Sequence, residues 1–176
     1  MSAVREFQSG DAEMALALMR DLACFEGYID DFQVTAADLI EHGLGSDRLF
    51  TAFVVPEDDA DALLGIAVTY IVPWTYDLKP VLVLKELFVT KEARGRGVGK
   101  SLFRRAMGYG RERGASKIQW TVLQTNNRAK TFYRRLGGSE DTNWEPWHLS
   151  LTPPLDDPRV LPPETTKNSN PTNQEI

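Results

Sequence analysis

Val89-Thr90-Lys91-Glu92-Ala93-Arg94-Gly95-Arg96-Gly97-Val98-Gly99-Lys100-Ser101 is the stretch on which the fold turns. In front of it, Val81 to Val89 is apolar and rich in β-formers, with Lys85 and Glu86 at its middle, and predicts a long strand. Behind it, Val98 to about Arg113 predicts a basic helix with Leu102, Ala106 and Tyr109 on one face. Between the two, three glycines at alternate positions let the backbone pass close to a ligand. The first turn of the helix offers N–H groups without intrahelical partners and the positive end of a dipole. Arg94, Arg96 and Lys100 add positive charge. Such a strand-to-helix turn predicts an anion site suited to a pyrophosphate.

Two familiar phosphate motifs come close and fail. Gly99-Lys100-Ser101 matches the end of a P-loop, but its first glycine would have to stand at Arg94. The dinucleotide fingerprint needs a glycine at Lys100, and it belongs to the first β-α unit of a parallel sheet, whereas this turn lies past the chain's midpoint. The plainest alternative is a glycine-rich turn that binds nothing. Packing alone seldom needs three glycines flanked by three cations.

Outward from the turn, the chain alternates helical and strand patterns. Ser9 to Asp11 offers capping residues for a helix whose apolar stripe is Met14, Leu16, Leu18, Met19, Leu22 and Phe25. Cys24 is expected to be a small buried residue of that face. Thr35 with Asp38 signals a second helix start. Leu49 to Val55 and Leu63 to Val72 predict a hairpin around an acidic turn. Lys117 to Leu123 predicts a strand. Arg128 to Leu136 predicts a short helix stopped by Gly137 and Gly138. Trp147 to Leu151 predicts a closing strand. Helices, an antiparallel run and then β-α-β-α-β predict an α/β fold, a mixed sheet with helices on both faces. Gly108 and Gly110 weaken the basic helix and suggest close packing. Any one of Trp74, Tyr76, Trp144 and Trp147 is expected to pack in the core.

The chain has 176 residues, enough for one domain with a sizeable core. Residues 152–176 hold six of the ten prolines and almost no aliphatic side chains, and predict a tail beyond a domain spanning residues 1–151. One cysteine and two histidines, His42 and His148, point away from disulfides and from a metal centre. No apolar run reaches the about 18 residues of a membrane helix. Arg5 and Glu6 interrupt the first ten residues, which lack a signal peptide's apolar stretch. A cytoplasmic protein without membrane contact is expected. The net charge of −5 argues against broad nucleic-acid binding and suits a cationic small molecule.

Arg94-Gly95-Arg96-Gly97-Val98-Gly99 resembles the R/Q-x-x-G-x-G/A signature of the GNAT acetyltransferase superfamily, and Asn126-Asn127-Arg128-Ala129-Lys130-Thr131-Phe132-Tyr133-Arg134-Arg135-Leu136-Gly137 resembles that family's N-x-x-A-x-x-F-Y-x-x-x-G helix. Within it, Leu22-Ala23-Cys24-Phe25-Glu26, Asp38-Leu39-Ile40-Glu41-His42-Gly43, Lys85-Glu86-Leu87-Phe88-Val89 and Trp147-His148-Leu149 are similar to the diamine (spermidine/spermine) and thialysine N-acetyltransferase branch. The resemblance implies the GNAT fold, acetyl-CoA as co-substrate, a small amine as acceptor, no metal, and a homodimer. Acetylation of a protein or aminoglycoside amine, or a non-catalytic acyl-CoA-binding module, are the alternatives.

The resemblance also implies residue roles. Tyr133 would donate a proton to the departing thiolate. Glu86 would act as base through water or as ammonium anchor, and Phe25 and Glu26 would help hold the amine. Leu87, Phe88 and Val89 would meet the pantetheine arm. Arg94, Gly95, Arg96, Gly97, Val98, Gly99 and Lys100 would cradle the pyrophosphate. Asn126, Ala129, Phe132 and Tyr133 would line the remaining cofactor path. Asn126 also suits a helix N-cap. Phe132 and Tyr133 are neighbours about 100° apart on a helix and are expected on different faces. The branch usually carries two acidic residues where this chain has Lys85 and Glu86. Strand neighbours alternate, so only one of this pair is expected to line the site.

Overall fold

The computed structural model describes residues 3–58 and 61–149. The chain divides into two compact units, Met1–Gly138 and Ser139–Ile176, and the first contains all the helices and strands among the described residues. Helix α1 (Ala12–Glu26) buries Leu18, Met19 and Leu22 of the predicted stripe, and Ala15 beside them, while Met14 and Leu16 are half-buried. Phe25 does not join them; it is 58% exposed. Cys24 is exposed as well, correcting its expected burial: it follows Glu13, Ala17 and Arg20 along the opposite, solvent face of the helix. Gly27 ends α1 in the left-handed region at φ 84°.

Helix α2 (Ala36–Gly43) starts as predicted. The Asp38 N–H donates to Thr35 Oγ1 at 3.3 Å and the Thr35 N–H donates to Asp38 Oδ2 at 2.8 Å. Strands β1 (Arg5–Glu6), β2 (Thr51–Pro56), β3 (Leu63–Val72), β4 (Val81–Val89) and β5 (Lys117–Gln119) form one sheet in sequence order. The first three junctions are antiparallel and β4–β5 is parallel. Two apolar clusters sandwich the sheet. One joins α1 and Leu39 of α2 to Ala52, Val54, Ile66, Val68 and Phe88. The other joins α3 (Val98–Glu112) to Phe53, Val55, Ala67, Leu82 and Leu84, with Phe132 and Tyr133 of α4 (Asn127–Arg135) packed against it. The mixed sheet with helices on both faces is therefore as expected.

β5 stops at Gln119, four residues short of the expected Leu123. The expected closing strand is not formed at Trp147–Leu149, and its Ser150 and Leu151, like the tail, lie outside the described residues. Trp74, Tyr76, Trp144 and Trp147 are all exposed rather than core. Gly110 is explained by packing, since a Cβ there would meet Leu82 Cδ2 at 3.1 Å; at Gly108 it would meet only the Arg105 Nη1 tip at 3.8 Å, and nothing in the structure requires a glycine. Among the described residues no helix is long and apolar enough to cross a membrane.

Candidate active site

The site begins where β4 and β5 part. Their parallel ladder ends at Val83 opposite Gln119, while β4 continues to Val89. A cavity of about 640 Å³ opens in the gap, walled by residues 84–89 on one side and 120–123 on the other. This is why β5 is short. The edge of β4 that would carry a further strand faces the cavity instead, presenting backbone groups that a ligand can pair with.

At one end of the cavity stands the glycine turn. Arg94, Gly95, Gly97, Val98, Gly99 and Lys100 all line it; Arg96 is exposed and is not part of the wall. Gly97 caps α3 at φ 87°, a conformation that an L side chain rarely adopts, and a Cβ there would have nothing within 4 Å. The glycine thus serves the backbone path and leaves open space in front of it. The Ser101 N–H bonds to Gly97 O at 3.0 Å, so the amides of Val98, Gly99 and Lys100 lie ahead of the helix ladder. Arg94 braces the turn: its Nε donates to Val89 O at 3.1 Å and its guanidinium lies 5.8 Å from the Phe88 ring centre. Main-chain donors, cations and an open approach together fit a diphosphate group.

Helix α4 supplies the opposite wall. Asn126 caps it, with Oδ1 accepting the Ala129 N–H at 3.0 Å, and still lines the cavity with Ala129, Phe132 and Tyr133. The expected separation of Phe132 from Tyr133 does not hold. Their ring centres are 5.1 Å apart and both line the cavity, because long side chains converge where their Cα–Cβ bonds diverge. Phe132 lies beside Gly99, whose added Cβ would be 3.6 Å from Phe132 Cζ. Tyr133 leans on Trp120. Burial pushes the Tyr133 phenol up to about 12, with the Glu26 charge adding to the shift.

At the other end, β3 and β4 slip register. Glu86 pairs with Val68 and Leu84 with Thr69, so Lys85 is an extra residue with no partner on β3. The bulge changes which face each side chain takes. Leu82 and Leu84 point to the α3 cluster, whereas Phe88, of the same parity, points to the α1 cluster. Lys85 and Glu86 consequently both line the cavity, together with Phe25 and Glu26 from the end of α1. That corrects the strict alternation expected for the pair. Burial raises the Glu86 carboxyl to about 7, opposed by Lys85 and reinforced by Glu26. Burial also raises Glu26, again opposed by Lys85. Glu86 Oε2 is buried with no hydrogen-bond partner among the described residues. An orphaned carboxylate oxygen beside a cavity is suited to a cation or a water from outside the chain.

The cavity thus gathers Tyr133, Glu86, Phe25, Glu26, Leu87, Phe88, Val89, Asn126, Ala129, Phe132 and the turn, all named from the sequence. It adds Leu22, Trp120, Leu136 and residues 121–123, which sequence reasoning missed, and it takes in both Lys85 and Glu86, of which only one is expected from alternation. Trp120 carried one available signal, an aromatic at the middle of the Lys117–Leu123 strand candidate, just past the end of β5.

Comparison with known proteins agrees with this geometry. Residues 16–138 match the Acetyltransferase (GNAT) family. Thialysine N-epsilon-acetyltransferase of Sus scrofa is 26% identical over 151 residues, covering 82% of this chain and 88% of the relative. Spermidine/spermine N(1)-acetyltransferase-like protein 1 of Homo sapiens is 28% identical over 153 residues, covering 83% of this chain but only 22% of that longer protein. Among solved structures, an aminoglycoside N-acetyltransferase in complex with CoA superposes with a TM-score of 0.65 at 19% identity, over 83% of this chain and 93% of the other. A β4–β5 cleft lined by the glycine turn and by the unpartnered Glu86 carboxyl, in a chain matched over that whole span, places this protein in the GNAT acetyltransferase family as an acetyl-CoA-dependent N-acetyltransferase.

Proposed function

We propose that the protein acetylates a primary amine of a small molecule, a polyamine, a diamine or a thialysine-like compound, by direct attack within a ternary complex. The observation that carries this reading is the single cavity joining the glycine turn, Tyr133 and the unpartnered Glu86 oxygen. The relatives named for thialysine and for spermidine/spermine support a small amine as acceptor.

An alkyl amine, with a pKa of about 10.4, must shed a proton before it attacks. Glu86 at about 7 is half ionised near neutrality and receives that proton through water. Acetyl-CoA supplies an activated acetyl thioester, whose diphosphate Arg94, Gly95 and residues 97–100 of the turn hold. An N–H of the 87–89 edge of β4 meets the developing oxyanion. Tyr133 keeps its proton throughout the neutral range, donates it to the departing thiolate sulfur and takes one back from the nitrogen of the tetrahedral adduct. No acyl-enzyme forms on Cys24, which lies on the solvent face of α1 away from the cavity wall.

A thiol-release assay with acetyl-CoA tests this, run against spermidine, diamines, thialysine, lysine and aminoglycosides. Turnover with the small amines and little with aminoglycosides supports the reading. Turnover confined to aminoglycosides, or none with any amine, overturns it.

A further inference from the structure

Leu84 faces the α3 cluster, so Lys85 turns to the α1 side, and the bulge brings Glu86 to that same side instead of away from it. Leu84 and Glu86 take consecutive partners Thr69 and Val68 on β3, and the inserted Lys85 shares the cavity with Glu86. Glu26 faces them from the end of α1. Lys85 acts on both carboxylates electrostatically, lowering the pKa of each against the rise that burial causes. It does not close on Glu86, whose Oε2 keeps no partner among the described residues.

The acceptor end therefore holds two carboxylates and one ammonium rather than an uninterrupted acidic trap. With Glu86 only half ionised near neutrality, Lys85 offsets most of the remaining negative charge. A second ammonium on the substrate would be repelled by Lys85, and an anionic group would be attracted. Glu86 and Lys85 present opposite charges from adjacent positions of one strand, which matches a molecule carrying both an ammonium and a carboxylate.

We infer that Lys85 is the specificity-determining residue of the acceptor pocket and selects an amine that also bears a carboxylate, an amino acid, over a polyamine. The inference rests on the proposed acetyl transfer and narrows its substrate class. Lys85 is exposed and acts through its charge from the bulge, so among substrates of similar reach its effect follows the sign of the charge at the far end.

Three acceptors of similar reach separate these effects: 6-aminohexanoate, with a far carboxylate; hexylamine, with none; and cadaverine, with a far ammonium. Steady-state kcat/KM with acetyl-CoA is expected to fall in that order for the native protein. In Lys85→Glu the order inverts, and the ratio of 6-aminohexanoate to cadaverine drops by about tenfold or more. In Lys85→Gln the three converge. CoA titration by calorimetry reports that each variant is folded. A native preference for cadaverine, or a ratio unmoved by either Lys85 variant, overturns the inference and leaves the acetyl transfer standing. Absence of thiol release with all three and with every other amine overturns both.

Discussion

The Trp120 and Tyr133 rings lie 4.7 Å apart, centre to centre, with their planes tilted by 40°. Phe103 stands 5.4 Å from Trp120 and 5.7 Å from Tyr133, so the phenol ring is fixed by aromatic neighbours independently of its hydroxyl. Tyr133→Phe should keep that packing and remove only the donor. The expected result is a kcat lower by at least about tenfold, with CoA affinity within about threefold of native. Stopped-flow thiol release and calorimetry measure the two; native turnover in the variant would remove Tyr133 from the chemistry.

Glu86 should leave its mark on the pH profile of activity. Its carboxyl titrates at about 7, and only the ionised form can receive the ammonium proton. The kcat/KM profile is expected to rise with a one-proton inflection near that value. Glu86→Gln should lower the rate and erase the inflection, leaving only the rise due to the free amine at higher pH. A profile that keeps the inflection in Glu86→Gln would assign it to another group.

The same carboxyl should cost stability. Its folded pKa of about 7 exceeds its ordinary 4.5, so between those values the folded state holds a proton that the unfolded state has released. Stability then falls as pH rises through that window and levels off above it. Glu86→Gln should be more stable than native at about pH 8, by on the order of 2–3 kcal/mol, and no more stable at about pH 4. Urea unfolding at both pH values measures it. The group proposed to serve the reaction is thus one that folding alone would have replaced.

Much of this architecture was legible in the sequence, for identifiable reasons. β3 and β4 have the predicted bounds because long runs of β-branched and aromatic residues leave no competing helical period. The glycine turn was legible because three glycines and three cations have few structural explanations. β1 was invisible: two charged residues carry no periodicity, and the strand exists only through its pairing with Phe53 and Val54. The bulge was invisible for a similar reason. A one-residue slip is a property of two strands, and Glu86 joins Lys85 on one face only because β3 continues past Lys85 without a matching residue. Trp120 entered the site because β5 ends early, which depends on the opening between strands.

Gly97 should be intolerant of a side chain for a reason other than crowding. Its φ of 87° strains any L residue, while the space before it is open. Gly97→Ala is expected to lose about 1–2 kcal/mol of stability and to weaken CoA binding by about tenfold or more, since the strained turn misplaces the amides that follow it. Gly99 contrasts with it. An added Cβ would make ordinary contacts at 3.5 Å with Val89 and 3.6 Å with Phe132, so Gly99→Ala should keep native stability. Equal thermal stability of Gly97→Ala and native protein would contradict the strain.

Arg5 and Asp11 should carry a pH-dependent share of stability far from the cleft. Arg5 Nη1 and Nη2 donate to the two oxygens of Asp11 at 2.7 and 2.8 Å, and the Gln8 N–H donates to Asp11 Oδ2 at 2.8 Å. One buried carboxylate thereby ties β1 to the start of α1, in addition to the pairing of β1 with β2. The Arg5 hydrogen bonds, more than the burial opposing them, hold Asp11 below its ordinary 3.8. A depressed carboxyl contributes in full above that ordinary value and loses its contribution as pH falls through the folded one. Asp11→Asn should therefore be about 1–3 kcal/mol less stable than native near neutrality. The difference should shrink steadily below about pH 4. Arg5→Met should cost a comparable amount by leaving Asp11 buried without its cation, and the double variant should cost less than the two single variants added together. Strict additivity in that cycle would show that the two side chains act separately.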